Sequence, residues 1–166
     1  MDEIIIRRAE KADAQAVYDL VAELARARDA VHKLKSSVAD IERDGFGDAP
    51  AFEALLAERD GRPVGLCLYF SSYSTWRGSR GIYVQDLVVM ESARGLGLGQ
   101  RLLAETAAVA RARGCTYLRL SVDDDNSDAQ AFYQRNGFGH SESELIFVLD
   151  EADFIELAGN AEGVDA

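Results

Sequence analysis

The residues whose types and spacing could do chemistry are gathered between Val84 and Val109. There Val84-Gln85-Asp86-Leu87-Val88-Val89 reads as a strand, Arg94-Gly95-Leu96-Gly97-Leu98-Gly99 as a glycine-rich turn, and the stretch after that turn as a helix. Glycines let such a turn take backbone conformations closed to residues with a Cβ, and the helix offers unpaired N–H groups and a positive dipole end to a phosphate. The expectation is a site for a phosphorylated cofactor; a purely structural turn is the alternative. Two other phosphate motifs fail on spacing. A Walker A loop needs Lys then Ser or Thr after its last glycine, where this chain has Gln100-Arg101, and the dinucleotide pattern that starts at Gly95 and Gly97 needs glycine at position 100. The only acid on this strand is Asp86, which is either a functional carboxylate or a structurally satisfied one.

The elements that must position these residues can be read on either side. With 166 residues and 48% hydrophobic content the chain suits one domain with a real core, expected over 1–158 with a frayed tail at 159–166. Ile4-Ile5-Ile6 reads as a first strand, and Asp13 as the N-cap of a helix whose Ala14, Val17, Val21 and Leu24 share a face. A second helix is expected within Ser36 to Arg43, ended by Gly45 and Gly47. Phe52 to Glu58 and Val64 to Tyr69 read as strands joined by the hairpin signal Asp60-Gly61, and the central strand starts near Gly81. In the helix after the glycine turn Leu98, Leu102, Leu103, Val109 and Ala110 share a face. It returns the chain to a parallel strand at Tyr117 to Val122. A helix from Ser127 to Arg135, a last strand at Ile146 to Leu149 and a short helix at Phe154 to Leu157 complete the reading.

Composition excludes several functions. A formal charge of −11 disfavours nucleic acid and mildly favours a cationic substrate, although acidic side chains also simply keep a surface soluble. No apolar run reaches the length of a membrane span, and Met1-Asp2-Glu3 lacks the layout of a signal peptide, so a cytoplasmic protein with no membrane partner is expected. Cys67 and Cys115 are too few and too dispersed for a disulfide framework or a zinc site, and His32 and His140 form no cluster; no metal is expected. Asp123-Asp124-Asp125 imitates the start of a calcium loop, but Asp128 stands where that loop needs glycine.

The pattern Arg94, Gly97, Gly99 between strand and helix resembles the pyrophosphate loop of the GCN5-related N-acetyltransferases (GNAT), and the element order resembles theirs from about Ile4 to Leu157. Asp44-Gly45-Phe46-Gly47 with Pro50-Ala51-Phe52, Tyr73-Ser74-Thr75-Trp76 and Tyr83 to Met90 are similar to the diamine (spermidine/spermine) acetyltransferase branch, and Ala131-Phe132-Tyr133 with Asn136-Gly137-Phe138 to the superfamily's ending. The resemblance implies an α/β (α+β) GNAT fold: a mixed, mostly antiparallel central sheet with a V-shaped splay, flanked by helices. It also implies acetyl-coenzyme A as cofactor, a small-molecule primary amine (diamine-like or amino-acid-like) as acceptor, direct attack without an acyl-enzyme, and a homodimer.

The same resemblance distributes roles. Arg94, Gly95, Leu96, Gly97, Leu98, Gly99 and Gln100 would hold the pyrophosphate, Leu87, Val88 and Val89 the pantetheine arm, and Asn126 a further part of the coenzyme. A backbone N–H near Val88 or Val89 would polarise the thioester carbonyl. Tyr133 would protonate the leaving thiolate, with core packing as the alternative, and Asp86 is the acid nearest to serve as base. The substrate-facing positions are Arg28, Asp29, Gln85 and Asp86, where Arg28 and Gln85 stand in place of two glutamates of the diamine branch. Those replacements point away from long polyamines. Rival readings are a coenzyme A-binding regulatory module that has lost catalysis, and an acetyltransferase of protein amino termini or aminoglycosides.

Overall fold

In the computed structural model, residues 3–161 are described, and the chain divides into two compact units between Asp125 and Asn126. The first unit is built on a five-stranded sheet in the order β1-β2-β3-β4-β5: β1 (Ile4–Arg8), β2 (Glu53–Arg59), β3 (Arg62–Ser74), β4 (Ser79–Val89) and β5 (Leu118–Arg119). The first four strands are antiparallel neighbours and β5 joins β4 in parallel. The hairpin at Asp60-Gly61 takes positive φ at both residues, 52° and 73°, the backbone twist that a two-residue hairpin between right-twisted strands requires.

Strand alternation assigns the two faces of the sheet. Ala54, Leu56, Leu66, Leu68 and Val88 pack into one core with Ala14, Val17 and Leu20 of α1 (Ala14–Ala27) and Ile41 of α2 (Val38–Gly45). The intervening Gly65 and Cys67 face α3 (Leu98–Ala112), whose Leu98, Leu102, Leu103 and Ala110 are buried as their spacing predicts. Thr106 joins them fully buried, its hydroxyl donating to the Leu102 carbonyl (2.8 Å) and lying 3.2 Å from Cys67 Sγ. Without those partners a hydroxyl at that depth would cost about 1–3 kcal/mol.

Asp13 does precede α1, yet it makes no side-chain cap there; its carboxylate takes the Glu10 N–H and the Arg7 guanidinium instead. The second helix is capped by Ser37 in a reciprocal box with Asp40 and runs on through Gly45, because that glycine lies flat against the Phe52 ring, where a Cβ would stand 2.6 Å away. Packing, not glycine's freedom, explains Gly45.

The second unit holds α4 (Ser127–Arg135), with the bounds expected, and α5 (Glu151–Gly159), longer than the Phe154 to Leu157 segment anticipated. The expected last strand at Ile146 to Leu149 is not formed: the residues carry no strand pairing, and Ile146, Phe147 and Val148 are 74–89% exposed. Strand propensity needs a neighbouring strand, and this unit's described residues are otherwise helical or irregular. The expected strand at Tyr117 to Val122 is likewise reduced to Leu118–Arg119. Of the tail expected to fray, residues 162–166 lie outside the described residues. No helix among the described residues is long and apolar enough to cross a membrane.

Candidate active site

The glycine turn has the geometry of an anion cradle. β4 ends at Val89, a 3-10 turn comes next at Glu91–Ala93, and Gly95 and Gly97 take φ of 79° and 70°, Gly97 serving as the left-handed N-cap of α3. Buried Ala93 and Leu98 anchor the turn at both ends, while Arg94, Gly95, Leu96, Gly97 and Gln100 are exposed. The first helical bond is Arg101 N–H to Gly97 O (3.1 Å), so the amides of Leu98, Gly99 and Gln100 have no partner within the helix and face the positive dipole end. A Cβ on Gly95 or Gly97 would meet nothing within 4 Å. It is the positive φ that asks for glycine here, and the space above is open to a ligand.

The strand leading to the turn is open as well. The parallel ladder joins only Ile82 to Leu118 and Tyr83 to Arg119, so among the described residues β4 runs on from Val84 to Val89 without backbone pairing toward β5. Every second residue of this stretch of an interior strand, the others being turned to β3, therefore presents its N–H and C=O groups to that side, a cost unless a ligand meets them. A phosphorylated ligand with an extended amide-bearing arm fits both features, the free helix amides and the unpaired strand.

Asp86 sits in the middle of this stretch, and a β-bulge decides its orientation. Leu68 lies opposite Asp86 and Tyr69 opposite Val84, which leaves Gln85 without a partner on β3. Gln85 is exposed, whereas Asp86 follows Leu68 onto the face shared with Val88 and α1. No hydrogen bond or ion pair reaches the Asp86 carboxylate among the described residues, and burial pushes its pKa up to about 6.

Arg28 and Asp29 end α1. The Arg28 guanidinium, expected to face the acceptor, is bonded to Asp123 (3.0 Å) and Asp125 (2.7 Å), and these two carboxylates hold its pKa up. Asp29 takes φ 52° in the left-handed turn that closes the helix, where Ala30 N–H bonds back to Ala25 O. No hydrogen bond or ion pair joins Arg28 or Asp29 to Gln85 or Asp86 among the described residues. The sequence reading missed Asp123 and Asp125 as partners of Arg28; a contact across 95 residues leaves no local signal.

Within the second unit, Asn126 caps α4, its Oδ1 accepting from Ala129 N–H (3.2 Å). Tyr133 is half-buried, edge-on to Phe138 with centroids 5.5 Å apart, and its carbonyl accepts from Phe138 N–H. Gly137, at φ 89°, makes the turn that brings Phe138 back. The Phe-Tyr and Gly-Phe pairs are thus one local clamp that fixes the tyrosine ring on its helix. Among the described residues no group of three or more His, Cys, Asp or Glu could hold a metal ion.

The acetyltransferase (GNAT) family profile matches residues 14–138. Thialysine N-epsilon-acetyltransferase of Bos taurus is 37% identical over 94% of this chain and 98% of its own length. Spermidine/spermine N(1)-acetyltransferase-like protein 1 of Homo sapiens is 28% identical over 95% of this chain and 24% of its own. Among solved structures, an integron cassette protein from the mobile metagenome of V. cholerae superposes with a TM-score of 0.80 at 22% identity, covering 93% of this chain and 97% of that one. With the cradle and the open strand in place, the chain belongs to the GNAT family: it is an N-acetyltransferase that takes its acetyl group from acetyl-coenzyme A.

Proposed function

We propose that the acceptor is a small molecule carrying a primary amine, and that the amine attacks directly. The observation that carries the cofactor half of this reading is the pairing of an unclaimed helix N-terminus with an unpaired β4 edge. Amides from Arg94 to Gln100 would hold the pyrophosphate and the edge at Leu87, Val88 and Val89 the pantetheine arm, with an N–H at Val88 or Val89 directed at the acyl oxygen; Asn126 would touch the coenzyme at the start of α4. The bound cofactor supplies an activated thioester.

The protein must supply the proton transfers. An amine with a pKa near 10 is almost wholly protonated at pH 7, and freeing it costs about 4 kcal/mol. Asp86, unpartnered and raised to about 6, is a stronger base than an ordinary carboxylate and is still ionised at pH 7, the compromise that general-base catalysis favours. Tyr133, held by its clamp, would return a proton to the departing sulfur. Gln85 cannot act as a base, but its exposed amide can hydrogen-bond an acceptor.

For the acceptor itself we favour an amino acid bearing a side-chain amine, as the bovine relative's name indicates for that enzyme. The charges at Arg28 support this. The guanidinium is already neutralised by Asp123 and Asp125, so the cluster is mixed in sign and suits a zwitterion: a carboxylate can share Arg28 and an ammonium the aspartates. A long polyamine has no carboxylate to offer Arg28. The same reading takes residues 1–158 as one catalytic domain and the protein as a cytoplasmic homodimer.

A panel of amines with acetyl-coenzyme A, monitored by release of free thiol, tests the proposal. Turnover of a lysine analogue well above that of spermidine is expected, and efficient spermidine turnover with none of the amino acid would overturn the acceptor class. Titration with coenzyme A should give binding to the unaltered protein and a loss of at least about tenfold in Gly97→Val, since a β-branched residue at φ 70° is strained and disturbs the cradle.

A further inference from the structure

The open and closed ends of the β4–β5 pair are held by different means. At the closed end Thr116 N–H bonds to Arg80 O, Ile82 N–H to Tyr117 O, and Ser79 Oγ lies 2.7 Å from Thr116 Oγ1. The Tyr117 ring lies so close over Gly81 that a Cβ there would stand 2.3 Å from it, and its hydroxyl lies 3.2 Å from Ser72 Oγ. Toward the open end the ladder stops at Tyr83 and Arg119, and beyond it Tyr83 Oη lies 2.6 Å from Ser121 Oγ, two residues past the last paired position of the incoming chain. The Tyr83 ring cannot swing freely, because it is stacked on Phe70 with centroids 5.0 Å apart and planes 18° from parallel.

We propose that Tyr83 and Ser121 form a strut that sets the spacing between β4 and the chain leaving β5, and so the width of the slot that receives the coenzyme arm. Both are positioning residues acting through the backbone. A ladder bond would fix the strands at about 4.8 Å and close the slot. A bond through the length of a tyrosine side chain, its ring stacked on Phe70, spans a wider gap than a ladder bond does. This rests on the coenzyme lying along the unpaired edge of β4, as proposed above.

The test is calorimetric titration with coenzyme A, beside melting temperature, on Tyr83→Phe, Ser121→Ala, their double variant, Ser121→Thr and Ser79→Ala. Each of the first two should weaken binding about three- to tenfold, the range for one lost hydrogen bond between neutral groups. The double variant should be no weaker than either single one, Ser121→Thr should bind as the unaltered protein does, and Ser79→Ala, at the closed end, should leave affinity unchanged. Additive losses, an equal loss in Ser79→Ala, or unaltered binding by Tyr83→Phe and Ser121→Ala would overturn the strut. If the unaltered protein itself fails to bind coenzyme A, the cofactor reading fails; if it binds and only the strut variants behave as unaltered, the strut alone fails. Should Tyr83→Phe not fold, the contrast between Ser121→Ala and Ser121→Thr decides.

Discussion

Asp13 and Asp86 are the same side chain treated in opposite ways. Asp13 takes two bonds from Arg7, at 2.7 and 2.9 Å, and one from the Glu10 N–H, while the same guanidinium reaches Glu58 on β2 at 2.6 Å. Arg7 holds the Asp13 carboxyl below its usual range, and burial only partly offsets this. Asp86 has no such partner and its pKa rises to about 6. The first carboxylate ties β1, β2 and the entry of α1 together; the second is left basic beside an unpaired strand edge. Pairing that stabilises an anion lowers its affinity for a proton, so of the two carboxylates Asp86 is the more basic.

The largest effect that would break this contrast lies at Asp86. Asp86→Asn should lower kcat/KM for the best amine by about 10²–10⁴-fold, the usual worth of a general base, and should remove an acidic limb near pH 6 from the pH–rate profile. Activity and profile unchanged in that variant would make Asp86 a structural residue after all.

Next is Arg7→Ala, which strands two carboxylates. Because the Arg7 side chain is 36% exposed, the loss should fall below that of a fully buried pair, at about 2 kcal/mol of stability in a denaturant titration. The kcat per folded molecule should hardly move. A fall in kcat at unchanged stability would assign the triad to catalysis instead.

The finest test is a pair of opposite pH slopes. Asp13 has a lowered folded pKa, so its contribution is present above the unfolded value of 3.8 and is lost as pH falls through the folded one. Asp86 has a raised folded pKa, so its contribution is full below 3.8 and is lost as pH rises toward 6. Melting curves from pH 3 to 8 should show Asp86→Asn gaining on the unaltered protein across pH 4–6. Asp13→Asn should lose least at the acidic end. Parallel slopes for the two variants would end the comparison.

What was legible beforehand depends on how local each signal is. The hairpin at Asp60-Gly61, the helix after Gly97 and the bounds of α4 are written in contiguous residues, since turn chemistry, capping and 3.6-residue spacing act within one or two turns. The glycine cradle could be located for the same reason. The expected strand at Ile146 to Leu149 was legible as composition only, and propensity without a neighbouring strand did not make one. Likewise alternation alone could not say whether Gln85 or Asp86 turns inward, because an extra residue on β4 resets the faces.

By itself, then, the sequence determined the element order as far as α4, the glycine turn ahead of α3 and the identity of the lone acid on the central strand, all properties of short stretches of chain. Only the tertiary structure decided which carboxylates are satisfied and which is not. Arg7 finding Glu58, Arg28 finding Asp123 and Asp125, and Tyr83 finding Ser121 are encounters across 38 to 97 residues. A carboxylate's basicity depends on such neighbours and on the water that packing excludes, and neither exists until the chain has folded.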